Sequence, residues 1–249
     1  MKEPLVYFDK AYVPGSKAGV PLGRVDALAA VALAESLPVK GGRPLYLPEH
    51  LARLAEGCRA LAWPDPDRAL IAQVARVLPR RNRLVSGSLR LRWWGGLARP
   101  LLLVQALPAR PTPSGGIRLL TSAVRHYGPD SLNARAKVAH MLPNWLAKAE
   151  VEAWAEDGLR LTPDGYVAEG VWSNLVAVKG KRAQTPALHQ GVLEGVTRAL
   201  LLEKFRRQGL QVQEAPLTRH DLWTADAVWM TSSLRGALRV VEVDGRKIG

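Results

Sequence analysis

Gly165-Tyr-Val-Ala-Glu-Gly-Val-Trp-Ser-Asn174 reads as one short strand, a break near Gly170, and the start of a second. Apolar and β-branched residues continue the pattern, so 166–178 is expected to hold two strands. A glycine in such a run marks a bend or a close approach of the backbone to something packed against it. Working outward, 117–122 reads as a strand and 141–154 as a helix, with Leu142, Trp145, Leu146, Ala149 and Ala153 on one apolar face. Beyond the quoted stretch, 197–208 reads as a helix closed by Gly209, and 228–231 and 238–243 read as strands with a turn at Asp244-Gly245. Strands and helices do not alternate regularly. The expected class is therefore α+β rather than a doubly wound parallel sheet.

The other half of the chain is set apart by Pro108-Ala-Arg-Pro-Thr-Pro-Ser-Gly-Gly116. Three prolines and two glycines in nine residues cannot continue a helix or a central strand. The expected organisation is a domain over 1–107, a linker over 108–116 and a second domain over 117–249. In the first, 5–8 reads as a strand and 48–62 as a helix opened by Pro48. Leu51, Leu54, Ala55, Cys58 and Leu61 form its apolar stripe, which leaves Arg53 off it. A second helix is expected over 68–78, then strands over 84–93 and 101–106 around Gly95-Gly96, a hairpin signal.

Composition narrows the function classes. The chain has 249 residues, 47% hydrophobic and 23% charged, which excludes a disordered or fibrous protein. No apolar run approaches the ~18 residues of a membrane span, and the Met-Lys-Glu-Pro start lacks a signal-peptide core. A single cysteine, Cys58, excludes an internal disulfide and a cysteine-built metal cluster; no metal is expected. A cytoplasmic setting is the expectation. The formal charge is +13, from 35 Lys+Arg against 22 Asp+Glu. The arginines are scattered from Arg24 to Arg246 and no basic tail stands apart, so a nucleic-acid partner is not expected. With 25 Arg, 10 Lys and three Ile, the bias reads as that of a GC-rich genome.

Several residues carry possible chemistry. Lys137 is the only lysine between Lys40 and Lys148, in an apolar stretch before a helix. Lost solvation there favours the nucleophilic amine; the plainer alternative is a loop lysine reaching solvent. Glu169, followed by Gly170, could face a flat ligand and keep a pyridine nitrogen protonated, or be a surface carboxylate. Gly195-Val-Thr-Arg198 opens a helix whose free N–H groups at Val196 and Thr197 suit a phosphate, or are simply capped. Thr231-Ser232-Ser233 ends a strand with further hydroxyls, and Arg53 either points to a ligand or is solvated.

Their order along the chain resembles that of the class IV aminotransferases, the pyridoxal-phosphate enzymes of fold type IV. The segments are Pro48-Glu-His-Leu-Ala-Arg-Leu54, Lys137 with Leu142-Pro-Asn-Trp-Leu-Ala-Lys148, Val167-Ala-Glu-Gly-Val-Trp-Ser-Asn174, Thr185-Pro-Ala-Leu188, Gly191-Val-Leu-Glu-Gly-Val-Thr-Arg198, Ala225-Asp-Ala-Val-Trp-Met-Thr-Ser-Ser233 and Val243-Asp-Gly245. The resemblance implies a two-domain fold, with a small N-terminal α/β sandwich and a larger barrel-like C-terminal domain. It implies pyridoxal 5'-phosphate held as a Schiff base by Lys137, with Glu169 at the pyridine nitrogen and Leu193 on the ring. Arg53, Val196, Thr197, Thr231 and Ser232 would hold the phosphate. It also implies a homodimer.

One block departs from the family. Where a Gly-Asp-Gly-x-Phe-Glu-Thr-like segment is usual, this chain has Ala30-Val-Ala-Leu-Ala-Glu-Ser36, keeping Glu35 and placing Ala34 where an aromatic residue usually reaches the substrate. His140 and Met141 replace the usual asparagine and aromatic residue after the lysine. Within the family the chain looks closest to 4-amino-4-deoxychorismate lyase, which makes 4-aminobenzoate and pyruvate for folate synthesis; a D-amino-acid or branched-chain aminotransferase is the alternative. A binding protein without the family's catalysis stays open as a third reading. The substrate is expected to be a small anionic amine, with Arg92 and Arg99 as candidates for its carboxylates.

Overall fold

A computed structural model describes residues 3–19, 31–128, 135–139 and 141–249. Arg24, Ala30 and His140, named above, lie outside them. The chain forms two compact units, Met1–Pro111 with Arg135–His140, and Thr112–Ala134 with Met141–Gly249. The main division thus falls inside the Pro- and Gly-rich stretch, and a short later segment returns to the first unit.

The first unit is a six-stranded antiparallel sheet. Its strands are β1 (Leu5–Phe8), β2 (Ala11–Pro14), β3 (Leu33–Lys40), β4 (Arg43–Pro44), β5 (Ser86–Trp94) and β6 (Leu101–Pro108), in the order β2-β1-β6-β5-β3-β4. The Gly95-Gly96 hairpin joins β5 to β6, and Trp94 pairs with Leu101. Two helices follow β4. The first, α1 (Leu47–Ala60), has Pro48 in its first turn; the second, α2 (Arg68–Arg81), is capped by Asp67, whose side chain accepts from the Leu70 amide at 2.9 Å. α2 runs past Leu78 with Pro79 inside its last turn. Leu54, Cys58, Ile71, Val74 and Leu78 from the helices meet Leu33, Leu37, Leu89, Leu91 and Val104 from the sheet in one core.

β3 is built from the departing block, and its buried positions Leu33, Glu35, Leu37 and Val39 alternate with half-buried ones. The returning segment lies along its first residues. The Ala34 amide donates to the Lys137 carbonyl at 2.8 Å, the Ala139 amide donates to the Ala32 carbonyl at 2.7 Å, and Val138 bridges Leu33. Residues 32–34 therefore supply backbone pairing for the Lys137 segment.

The second unit is a nine-stranded mixed sheet. Its strands are β7 (Ile117–Thr121), β8 (Asp157–Leu161), β9 (Val167–Gly170), β10 (Asn174–Lys179), β11 (Arg182–Thr185), β12 (Gln211–Glu214), β13 (Ala227–Ser232), β14 (Gly236–Val243) and β15 (Arg246–Lys247). The order is β12-β11-β10-β13-β14-β7-β8-β9, with β15 on β14. β9 and β10 are consecutive in the chain, yet the ladder between them runs through β13, β14, β7 and β8. A sheet with that connectivity has to curl, which gives the half-barrel expected from the resemblance.

The turn that closes the curl is tightly specified. The Gly170 amide donates to the Ser173 carbonyl at 2.6 Å, and Asp157 accepts from the Gly158 and Val171 amides. A Cβ on Gly170 would lie 2.2 Å from Met230 Cε and 2.3 Å from Ser173 Oγ. This glycine lies where the chain bends and packs closely on Met230 and Ser173, as a glycine in the middle of such a run suggests. The helices are α3 (Leu142–Val151), α4 (Val196–Arg207) and α5 (Arg219–Trp223). α3 is shorter than expected and buries Asn144, Ala147 and Val151, whereas Leu142, Trp145 and Leu146 are exposed. The expected apolar face is therefore not the one it turns to the core of its unit.

Candidate functional site

Glu169 stands on β9 within a dense set of donors. Its Oε2 accepts from the Leu193 amide at 3.0 Å and from Asn174 Nδ2 at 3.2 Å. Its Oε1 lies 3.1 Å from Nε2 of the buried His126. Arg160, on β8, is its cross-strand partner and is fully buried. The Arg160 guanidinium donates to the Arg125 carbonyl at 2.7 Å and to Asn144 Oδ1 at 3.2 Å. Burial pushes the Arg160 guanidinium below its ordinary value, against the opposing pull of Glu169. Asn174 also donates to the Leu193 carbonyl at 2.8 Å, so one amide side chain ties Glu169 to the Leu193 loop.

Asn174 connects this carboxylate to the start of α4. A Cβ on Gly195 would fall 2.0 Å from Asn174 Oδ1, so only glycine fits at this helix entry. Gly195 is the N-cap, and no side chain caps the helix. Val196 and Thr197 open α4, where backbone N–H groups point outward without intrahelical partners. Asn174 is also the ladder partner of Thr231, and Thr231 Oγ1 is buried without a hydrogen-bond partner. Ser232 is the last residue of the same strand. An orphaned hydroxyl and an uncapped helix start, both adjoining Asn174, form a donor set suited to a phosphate group.

In the first unit, Arg53 is buried although it lies off the apolar stripe, which corrects the solvated alternative. Its Nε donates to Glu35 Oε1 at 2.8 Å and its Nη2 to Glu35 Oε2 at 2.6 Å. His50 Nδ1 approaches the same Glu35 Oε2 at 2.6 Å, and His50 Nε2 is buried without a partner. Burial would push the Glu35 carboxyl up, but the Arg53 charge and the hydrogen bonds from His50 and Arg53 hold it down at about 2. A helical arginine can be buried off the stripe because a carboxylate from β3 neutralises it.

Lys137 is half-buried on the segment beside β3, and Arg92 on β5 is the ladder partner of Ala34. The order Lys137, Ala34, Arg92 thus runs across neighbouring chain segments of this sheet. Arg99 is placed in the exposed loop between β5 and β6, 3.5 Å from Asp9. Arg90, which the sequence reading passed over, is two residues from Arg92 and so shares its face of the strand. Its Nε is buried without a hydrogen-bond partner, and burial, with Arg110 and Arg92 nearby, lowers its pKa. The i, i+2 spacing of two arginines on a strand was the available signal. His126 and Arg160 were also missed; neither falls in a quoted segment.

Among the described residues, no group of three or more His, Cys, Asp or Glu could hold a metal ion. Among the same residues, no helix is long and apolar enough to cross a membrane.

The geometry has a known counterpart. The family described as Amino-transferase class IV matches residues 32–243, and the chain belongs to it. It is an enzyme of the kind that works with pyridoxal phosphate. A putative branched-chain-amino-acid aminotransferase from Methanocaldococcus jannaschii is 30% identical, over 98% of this chain and 89% of the relative. A bifunctional aminodeoxychorismate lyase / D-amino acid transaminase from Mycobacterium tuberculosis is 29% identical, over 92% of this chain and 89% of the relative. The crystal structure of the T.th. branched-chain amino acid aminotransferase with pyridoxamine 5'-phosphate superposes with a TM-score of 0.89 at 26% identity, covering 100% of this chain and 88% of that one.

Proposed function

We propose that this chain acts on the amine of a carboxylate-bearing substrate as a 4-amino-4-deoxychorismate lyase, releasing 4-aminobenzoate and pyruvate. The observation that carries this reading is the Lys137, Ala34, Arg92 order across β3 and β5, with Arg90 on the same face. A strip of arginines in register with the lysine suits an anionic substrate better than a branched aliphatic one.

Bound pyridoxal phosphate supplies an electron sink for the charge left when a proton departs beside the amine carbon. Lys137 would hold the cofactor through its side-chain amine, and the same amine would move that proton. Glu169 would keep the pyridine nitrogen protonated, and Leu193 would lie against the ring. The amides of Val196 and Thr197, the hydroxyls of Thr231 and Ser232, and Arg53 hold the phosphate. Arg92 and Arg99 receive the substrate carboxylates. A homodimer is proposed from the family.

An aminotransferase is the second reading, supported by the Methanocaldococcus relative, whose match spans 98% of this chain. The two differ in where the amino group ends. Borohydride reduction of the protein with pyridoxal phosphate should place a stable label on Lys137; a label elsewhere, or none, overturns the enzyme reading. With aminodeoxychorismate, release of 4-aminobenzoate and pyruvate without a keto-acid acceptor supports the lyase. Conversion of the cofactor to its amine form by simple amino acids assigns the aminotransferase.

A further inference from the structure

We infer that His126 is a positioning residue for Glu169 and that it stands as a doubly protonated, cationic ring in the resting protein. The functional consequence rests on the pyridoxal-phosphate reading; the charge assignment does not. His126 Nδ1 is 3.0 Å from the Tyr127 carbonyl, which has no proton to give, so Nδ1–H is the donor. Nε2 is 3.1 Å from Glu169 Oε1. A neutral ring protonated at Nδ1 would aim its Nε2 lone pair at a carboxylate oxygen. The contact is favourable only if the pair holds one more proton, on Nε2 or on Oε1.

The surroundings decide between these positions. Glu169 Oε2 already accepts two N–H groups, from Leu193 and Asn174, which favours the ionised carboxylate. Arg160 stands beside Glu169 across the β8–β9 ladder and adds a fixed positive charge. The proton therefore rests on His126. The charged and titratable groups facing His126 are Glu169 from β9, the Tyr127 ring at 5.8 Å, and Arg160, whose guanidinium lies 5.8 Å from the Tyr127 ring. The ring is further fixed by its own backbone, since the His126 amide donates to the Leu161 carbonyl at 2.8 Å.

The carboxylate is thus held ionised and aimed from behind, with 12% of its side chain still accessible. It is set to accept a proton-bearing ring nitrogen without rearrangement. Without the His126 donor, Glu169 would be aimed by Leu193 and Asn174 alone, so cofactor binding should weaken when that donor is removed.

The test is ¹⁵N NMR of histidine-labelled full-length protein, with and without pyridoxal phosphate. Both ring nitrogens of His126 should be protonated at pH 7 without cofactor. Glu169→Gln should return the ring to the neutral Nδ1–H form, because the amide can donate to Nε2. A neutral His126 in the wild type overturns the inference and leaves the enzyme reading standing. His126→Gln keeps a neutral donor for Glu169, so the cofactor's visible band should form, whereas His126→Leu, which has no donor, should bind pyridoxal phosphate about tenfold more weakly; equal binding by His126→Leu and the wild type overturns the positioning role. A cationic His126 in a protein that takes no label on Lys137 would sustain the inference and end the enzyme reading.

Discussion

Two carboxylates, Glu35 in the first unit and Glu169 in the second, sit in surroundings that look alike and differ in what they leave free. Each lies near an arginine and contacts a histidine ring. Glu35 is 2% exposed and both its oxygens are taken by side chains within a closed core. Glu169 takes one hydrogen bond from a backbone amide, and it keeps an accessible edge. A carboxylate satisfied wholly by side chains in a core holds the fold together. A carboxylate aimed by its support and left partly open is prepared for a ligand.

That contrast can be broken by substitution. Glu35→Ala removes both hydrogen bonds that Glu35 takes from the buried Arg53, together with the contact to His50, and should cost about 3–5 kcal/mol in urea unfolding. Acid separates the two next. Because the Glu35 pKa is lowered from 4.5 to about 2 in the folded protein, its contribution is complete above pH 4.5 and is lost as pH falls towards 2. That contribution is roughly 3 kcal/mol, visible as a fall in urea midpoint over that window and absent in Glu35→Gln. Glu169→Gln should act the other way round, lowering turnover about 10²-fold while stability changes by less than about 1 kcal/mol. A Glu169→Gln protein that is strongly destabilised but normally active would erase the distinction. The smallest effect belongs to Thr231→Val. It removes a buried hydroxyl that has no partner, so the protein without cofactor should gain up to about 1 kcal/mol. Affinity for pyridoxal phosphate should nevertheless fall about tenfold, measured by titrating the visible band.

Much of the helical and hairpin structure was legible locally. The Leu51–Leu54–Cys58 stripe, the Gly95-Gly96 hairpin and the Gly195 helix start each depend on neighbours within a turn or two. What escaped depends on distant partners. β3 was not read as a strand; its block was noted only as departing from the family while keeping Glu35, and a glutamate on its buried face is acceptable only because Arg53 and His50 reach it from α1. From the residues alone, Arg53 stayed open between a ligand and solvent for the same reason. α3 was assigned the wrong buried face because its large side chains, Trp145 and Leu146, are outside while Ala147 is inside. The order of Lys137, Glu169, Gly195 and Thr231 was visible as a pattern. The support of Glu169 by His126 and Arg160 was not, since it arises from the β8–β9 ladder and the loop beside it.

The return of Arg135–His140 to the first unit bears on how the chain matures during synthesis. Beyond β4, which pairs with β3 only at Val39 and Lys40, the early residues of β3 meet the 135–139 segment on that side. A nascent chain that has emerged only through Pro111 contains the residues of both helices and all six strands of the first unit, but lacks the segment that pairs with Ala32–Ala34. That pairing can form only when translation has passed Lys137, so the first unit is complete only once this later segment is in place.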